Sequence, residues 1–204
     1  LIEKYSFESA AALHAITENE KKQLSLLTLS KSTFVIPNGI EVLTENKKKY
    51  FPDTLRIAFV GRIHPIKGLD RLIQAVSRMN IELVVAGDGN DEYKKNIFNL
   101  VSVLGIKDRV QFLGFVGKEE KIRLYEEASF LVVPSHSEVL SLVALEAISY
   151  GLPVLISGAC HFNEIAKSNA GIVIKDNNPE TIYDGICDMA SSNLKEMSQN
   201  AFEL

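Results

Sequence analysis

The chain has 204 residues, of which 46% are hydrophobic and 24% charged, and its net charge is −4. That length makes one good-sized domain or two small ones and buries roughly 70% of the unfolded surface. The acidic balance leaves no Lys/Arg stripe for a nucleic-acid partner, no apolar run approaches the roughly 18 residues of a membrane span, and no charged-then-apolar opening marks a secretory signal.

In chain order, Phe7 to Leu29 is rich in Ala, Leu and Glu and reads as one helix. Phe34 to Ile36 reads as a short strand stopped by Pro37-Asn-Gly39, and the polar, Lys-rich Glu45 to Tyr50 as a linker or exposed loop. From Leu55 onward short apolar runs alternate with helical patterns. The expected strands are Leu55–Val60, Ile81–Ala86, Val110–Phe115, Phe130–Val133, Val154–Ile156 and Gly171–Ile174. Several are apolar on successive residues, as strands covered on both faces are. Between them, Leu69, Leu72, Ile73 and Val76 follow helical spacing, as do Ile97, Leu100, Val101 and Leu104. Pro179 opens a further helix running to about Met189. Six strands with intervening helices predict an α/β fold: a doubly wound, Rossmann-like parallel sheet with helices on both faces. Cys160 and Cys187 have neither metal-ligand nor C-x-x-C spacing, and are expected as buried, reduced thiols of an intracellular protein. The chain begins Leu-Ile-Glu, which reads as a piece of something longer.

Four segments could carry chemistry. Gly61-Arg-Ile-His-Pro-Ile-Lys-Gly68 follows the first sheet strand and brings two cations, Arg62 and Lys67, to the carboxyl edge of the sheet. Two cations suit a diphosphate leaving group without a metal, because they stabilise the charge that develops as the bond breaks. The order of a P-loop is absent, and so is G-x-G-x-x-G. Gly87-Asp-Gly89 is explained by turn chemistry. In Val110-Gln-Phe-Leu-Gly-Phe-Val116, Gly114 lets backbone approach a planar ligand closely. Glu138 and Glu146 stand eight positions apart in a strand–loop–helix unit that closes at Gly151-Leu-Pro153. This unit aims a loop carboxylate and a helix N-terminus at one point above the sheet edge, where open α/β sheets bind ligands and free N–H groups suit phosphate. Phosphate plus hydroxyls describes a nucleotide sugar. Ser141 is a helix cap or a phosphate contact. Of the four histidines, His64 could touch the ligand, His136 could line the same cleft, and His14 and His161 read as structural.

Taken in order, Val35-Ile-Pro-Asn-Gly-Ile40, Gly61-Arg62…Lys67-Gly68, Val85-Ala-Gly-Asp-Gly89, Val110-Gln-Phe-Leu-Gly114, Pro134-Ser135, Glu138…Leu145-Glu146-Ala147 and Gly151-Leu-Pro-Val154 resemble the retaining glycosyltransferases of family 4, with the GT-B fold. The resemblance implies that residues 41–204 are the donor-binding C-terminal domain and 1–40 a remnant of an N-terminal acceptor domain with its junction. It implies that Arg62 and Lys67 bind the diphosphate, Glu138 the transferred sugar, and Glu146 the ribose hydroxyls. Gly61 would shape the loop, the N–H groups of Ser141, Leu142 and Val143 would hold phosphates and sugar, and Gly114 would lie beside the base. No cofactor or metal is implied. The partners would be a nucleoside diphosphate sugar and a saccharide or lipid-linked acceptor. The protein would be cytoplasmic, and peripheral association of its longer form with the inner membrane face is compatible with this. Where family members often have Gly-Phe-Gly, this chain has Val139-Leu140-Ser141, which narrows the approach of backbone to the sugar. The alternatives are a GT-B nucleotide-sugar epimerase and a non-catalytic nucleotide-sugar binding module.

Overall fold

The computed structural model describes residues 6, 7, 9–27, 31–40 and 54–204. The expected linker at Glu45 to Tyr50 lies outside the described residues. The chain forms two compact units, Leu1–Ile40 and Glu41–Leu204.

The first unit corrects the single long helix. Its described residues place a strand, β1 (Leu13–Ala15), before the helix α1 (Glu18–Leu27), and α1 leads to β2 (Thr33–Val35), which pairs parallel to β1. Thr17 is the reason. Its Oγ accepts from Glu20 N at 3.1 Å, while Glu20 Oε2 accepts from Ile16 N at 2.7 Å. These two bonds, close to a capping box but with the glutamate reaching one residue further back, start a new helix and leave the preceding residues free to extend. The Thr-x-x-Glu spacing was the available signal.

The second unit is the doubly wound sheet. Its strands are β3 (Arg56–Val60), β4 (Glu82–Ala86), β5 (Val110–Gly114), β6 (Phe130–Val133), β7 (Val154–Ser157) and β8 (Gly171–Ile174). They pair in parallel in the order β5-β4-β3-β6-β7-β8. Alternate side chains enter two cores. Ile57, Phe59, Leu83, Val85, Phe130 and Val132 face α2 (Leu69–Val76), α3 (Asp91–Val103) and α7 (Pro179–Ser191). Ala58, Val84, Ala86, Leu131, Val133 and Ile156 face α4 (Lys118–Glu127), α5 (Leu142–Ser149) and α6 (Glu164–Lys167). Burial on both faces is why the inner strands β3, β4, β6 and β7 carry apolar residues at successive positions instead of alternating. A last helix, α8 (Leu194–Glu203), is tied to the turn ending α5 by Ser198 Oγ, which donates to Gly151 O at 2.5 Å.

The sheet order reverses between β3 and β6: β3 connects onward to β4 on one side, whereas β6 connects to β7 on the other. Loops leaving those two adjacent strands diverge and open a crevice at their carboxyl ends, the topological switch point of such sheets. Gly61–Gly68 leaves β3 there, and Pro134–Ser141 leaves β6.

Candidate functional site

The β3 loop is held in shape by its own backbone. Pro65–Lys67 forms one 3₁₀ turn, with His64 Nδ1 accepting from Ile66 N at 3.2 Å. His64 is thus a cap. Gly68 ends the turn at φ 68°, and a Cβ there would lie 2.2 Å from Pro134 O. Only glycine allows the Lys67 loop to approach the end of β6 this closely. His136 N donates to Ile66 O at 2.8 Å, joining the two loops by backbone, while its side chain is exposed.

Across this junction Lys67 Nζ lies 2.8 Å from Glu138 Oε1. Ser135 Oγ donates to the same oxygen at 2.5 Å, and Glu138 Oε2 has no partner among the described residues. Beneath them Ser157 Oγ donates to Ser135 O at 2.6 Å and lies 3.4 Å from Cys160 Sγ. Burial pushes the Cys160 thiol up to about 11. Cys187 is only partly buried, a departure from the expectation of two buried thiols; both are free.

Glu146, in the second turn of α5, repeats the pattern. Lys121 Nζ lies 2.7 Å from its Oε2, and the Tyr125 hydroxyl donates to that same oxygen at 3.2 Å. Oε1 is without a described partner. Lys121 and Tyr125 are one turn apart on α4 and so share a face. Tyr125 is fully buried, and that burial, more than the nearby Glu146 charge, raises its phenol well above the usual range.

At the start of α5, Ser141 is the N-cap residue but makes no side-chain cap bond. Its hydroxyl is buried and without a hydrogen-bond partner among the described residues. The first-turn N–H groups of α5 have no intrahelical acceptors, so donors and an unused hydroxyl collect at one helix end.

Beside the crevice lies a cavity of about 310 Å³ floored by Val60 and Ala86, the ends of β3 and β4. Gly61, Arg62, Phe115, Val116 and Lys121 wall it. Arg62 is exposed and has no ion-pair partner among the described residues. Gly87, at φ 147°, also lines it; a Cβ there would lie 1.8 Å from Gly61 O. Asp88 is held by Lys94 at 2.6 Å and by Gly89 N, which together lower its pKa.

Residues 42–203 match the family described as glycosyl transferases group 1. The chain belongs to this family. An uncharacterized glycosyltransferase of Methanocaldococcus jannaschii is 37% identical over 139 residues, which are 66% of this chain and 35% of that protein. The chain thus spans about a third of that relative's length. Sucrose-phosphate synthase from Thermosynechococcus elongatus superposes with a TM-score of 0.86 at 24% identity, covering 99% of this chain and 55% of that one. Anabaena HepE, solved in complex with UDP-glucose, gives a TM-score of 0.81 at 21% identity, covering 95% and 58%. The family match favours a glycosyltransferase over an epimerase or a binding module.

Within this glycosyltransferase domain the expected residues are not all in one place. Lys67 and Glu138 touch; Gly61 and Arg62 share the cavity; Ser141, Leu142 and Val143 stand at the α5 N-terminus, with Glu146 one turn on. Gly114 has φ 71° and open space at its Cβ, and the cavity wall is formed instead by the next two residues, Phe115 and Val116. Sequence reasoning also passed over Lys121, Tyr125 and the Ser135 hydroxyl. Lys121 and Tyr125 belong to α4, whose residues are too polar to show a clear apolar stripe. Among the described residues, no helix is long and apolar enough to cross a membrane.

Proposed function

We propose that this domain binds a nucleoside diphosphate sugar and that the longer protein transfers the sugar to a saccharide or lipid-linked acceptor with retention and without a metal. The observation carrying this is the Lys67–Glu138 contact at the switch point. It sets a phosphate-binding cation against a hydroxyl-accepting carboxylate, and those two chemistries adjoin where a sugar is joined to a diphosphate. An ammonium has three N–H donors; one serves Glu138, and the others are available to phosphate oxygens.

In this reading Lys67 and Arg62 stabilise the negative charge that develops on the departing diphosphate. Glu138 Oε2 accepts from a sugar hydroxyl, and Glu146 Oε1 accepts from the ribose diol. The Ser141 hydroxyl and the N–H groups of Leu142 and Val143 donate to phosphate or sugar oxygens. The UDP-glucose complex of the similarly folded Anabaena protein supports the choice of ligand class. The glutamates hold hydroxyls and carry no proton-transfer step. Titration calorimetry of Arg62→Ala and Glu146→Ala against UDP-, GDP- and ADP-sugars tests the reading. Each change removes a charged hydrogen-bonding group, and we expect affinity to fall about tenfold or more. Unchanged affinity in both variants would sink the assignment.

A further inference from the structure

We infer that Lys121 is a positioning residue that makes the domain select for an intact ribose, by turning one oxygen of Glu146 toward the ligand. This rests on the donor-site reading above. Lys121 Nζ and the Tyr125 hydroxyl converge on a single carboxylate oxygen, Oε2, at 2.7 and 3.2 Å. A carboxylate with one oxygen doubly occupied keeps its plane and its second oxygen in a set direction. Without the ammonium the group swings about its last torsion, which is broad and roughly two-fold.

Three features separate this role from an ordinary surface ion pair. Lys121 also walls the cavity that Gly61 and Arg62 line, so it is part of the site's own surface. Its partner donor comes from a wholly buried tyrosine one turn along the same helix, so the two donors are fixed relative to each other. The side chains of Lys121 and Glu146 remain 27% and 31% exposed, and a pair that wet contributes little to folding. Its geometry serves the ligand side.

A diol donates two hydrogen bonds, and a fixed oxygen receives them only if both hydroxyls are present. Lys121 therefore acts on the ribose and leaves the phosphates to Lys67 and Arg62. The test is calorimetry with three probes: UDP, its 2′,3′-dideoxy counterpart, and inorganic pyrophosphate, with GDP or ADP and the matching dideoxy compound replacing UDP if they bind more tightly. We expect the wild-type protein to prefer the ribonucleotide about tenfold. Lys121→Met should abolish that preference while leaving dideoxynucleotide and pyrophosphate affinities within about twofold, and Lys121→Arg should restore most of it. Tyr125→Phe removes the second donor, should weaken the preference too, and carries the test if Lys121→Met does not fold. A preference that survives in Lys121→Met overturns the inference and leaves the donor-site reading standing. Equal loss for all three probes overturns it by making Lys121 a phosphate contact. If Glu146→Ala alone binds every probe like wild type, the inference falls; if Arg62→Ala does so as well, the donor-site reading falls with it.

Discussion

Glu138 and Glu146 are held by the same device in different surroundings. Each has one oxygen occupied by an ammonium and a hydroxyl, and the other without a partner among the described residues. Glu138, on a loop, is 9% exposed, and its partners are part of the seam between two loops. Glu146, on a helix, is 31% exposed and held from a neighbouring helix. A paired charge costs most to disrupt where water cannot replace the partner, so the first anchor bears on folding as well as binding and the second mainly on binding.

The largest effect should come from closing the seam at its tightest point. Gly68→Ala places a methyl group against Pro134 O in a left-handed backbone conformation, and should cost about 3 kcal/mol or more in urea unfolding. A loss below about 1 kcal/mol would mean the two loops can part, and the Glu138 anchor with them. Next, Lys67→Met strands a shielded carboxylate on one hydroxyl and should cost about 2 kcal/mol. Lys121→Met, in the same urea unfolding, should cost at most about 0.5–1 kcal/mol. Equal losses would erase the proposed division between the two anchors.

Alkaline pH distinguishes the sides more finely. The Cys160 thiol, beneath the Glu138 anchor, holds its proton to about 11 in the folded chain, against an ordinary value of 9.0. The unfolded chain releases that proton first, so the native state binds more protons between these values and loses stability as pH rises. The slope is about 1.4 kcal/mol per pH unit. Tyr125, beside Glu146, has an ordinary value of 10.0, so its share begins one unit later. Cys160→Ala should therefore flatten the stability profile between pH 9 and 10; an unchanged slope there would assign the alkaline loss elsewhere.

Much of the fold was legible because its signals are local. Phe130–Val133 and Gly171–Ile174 have the bounds their apolar runs predict, and Leu69, Leu72, Ile73 and Val76 all lie in the core. β1 was missed because three residues are too few to show a period, and the polar helix α4 because its burial is confined to Leu124 and Tyr125. Lys121 was invisible for the same reason: on its helix it is one charged residue among many.

The chain's own order of residues specifies which groups reach the carboxyl edge of the sheet: Arg62 and Lys67 after one strand, Glu138 after another, Glu146 one turn into a helix. Which of them meet was settled by folding. Lys67 and Glu138 are 71 positions apart, and they touch because β3 pairs with β6, so that both loops open onto one crevice. Strand pairing depends on the sum of many long-range contacts, and no local pattern encodes it. The same holds for the orientation of each carboxylate: a glutamate's identity supplies two equivalent oxygens, and only the neighbours packed around it make them different.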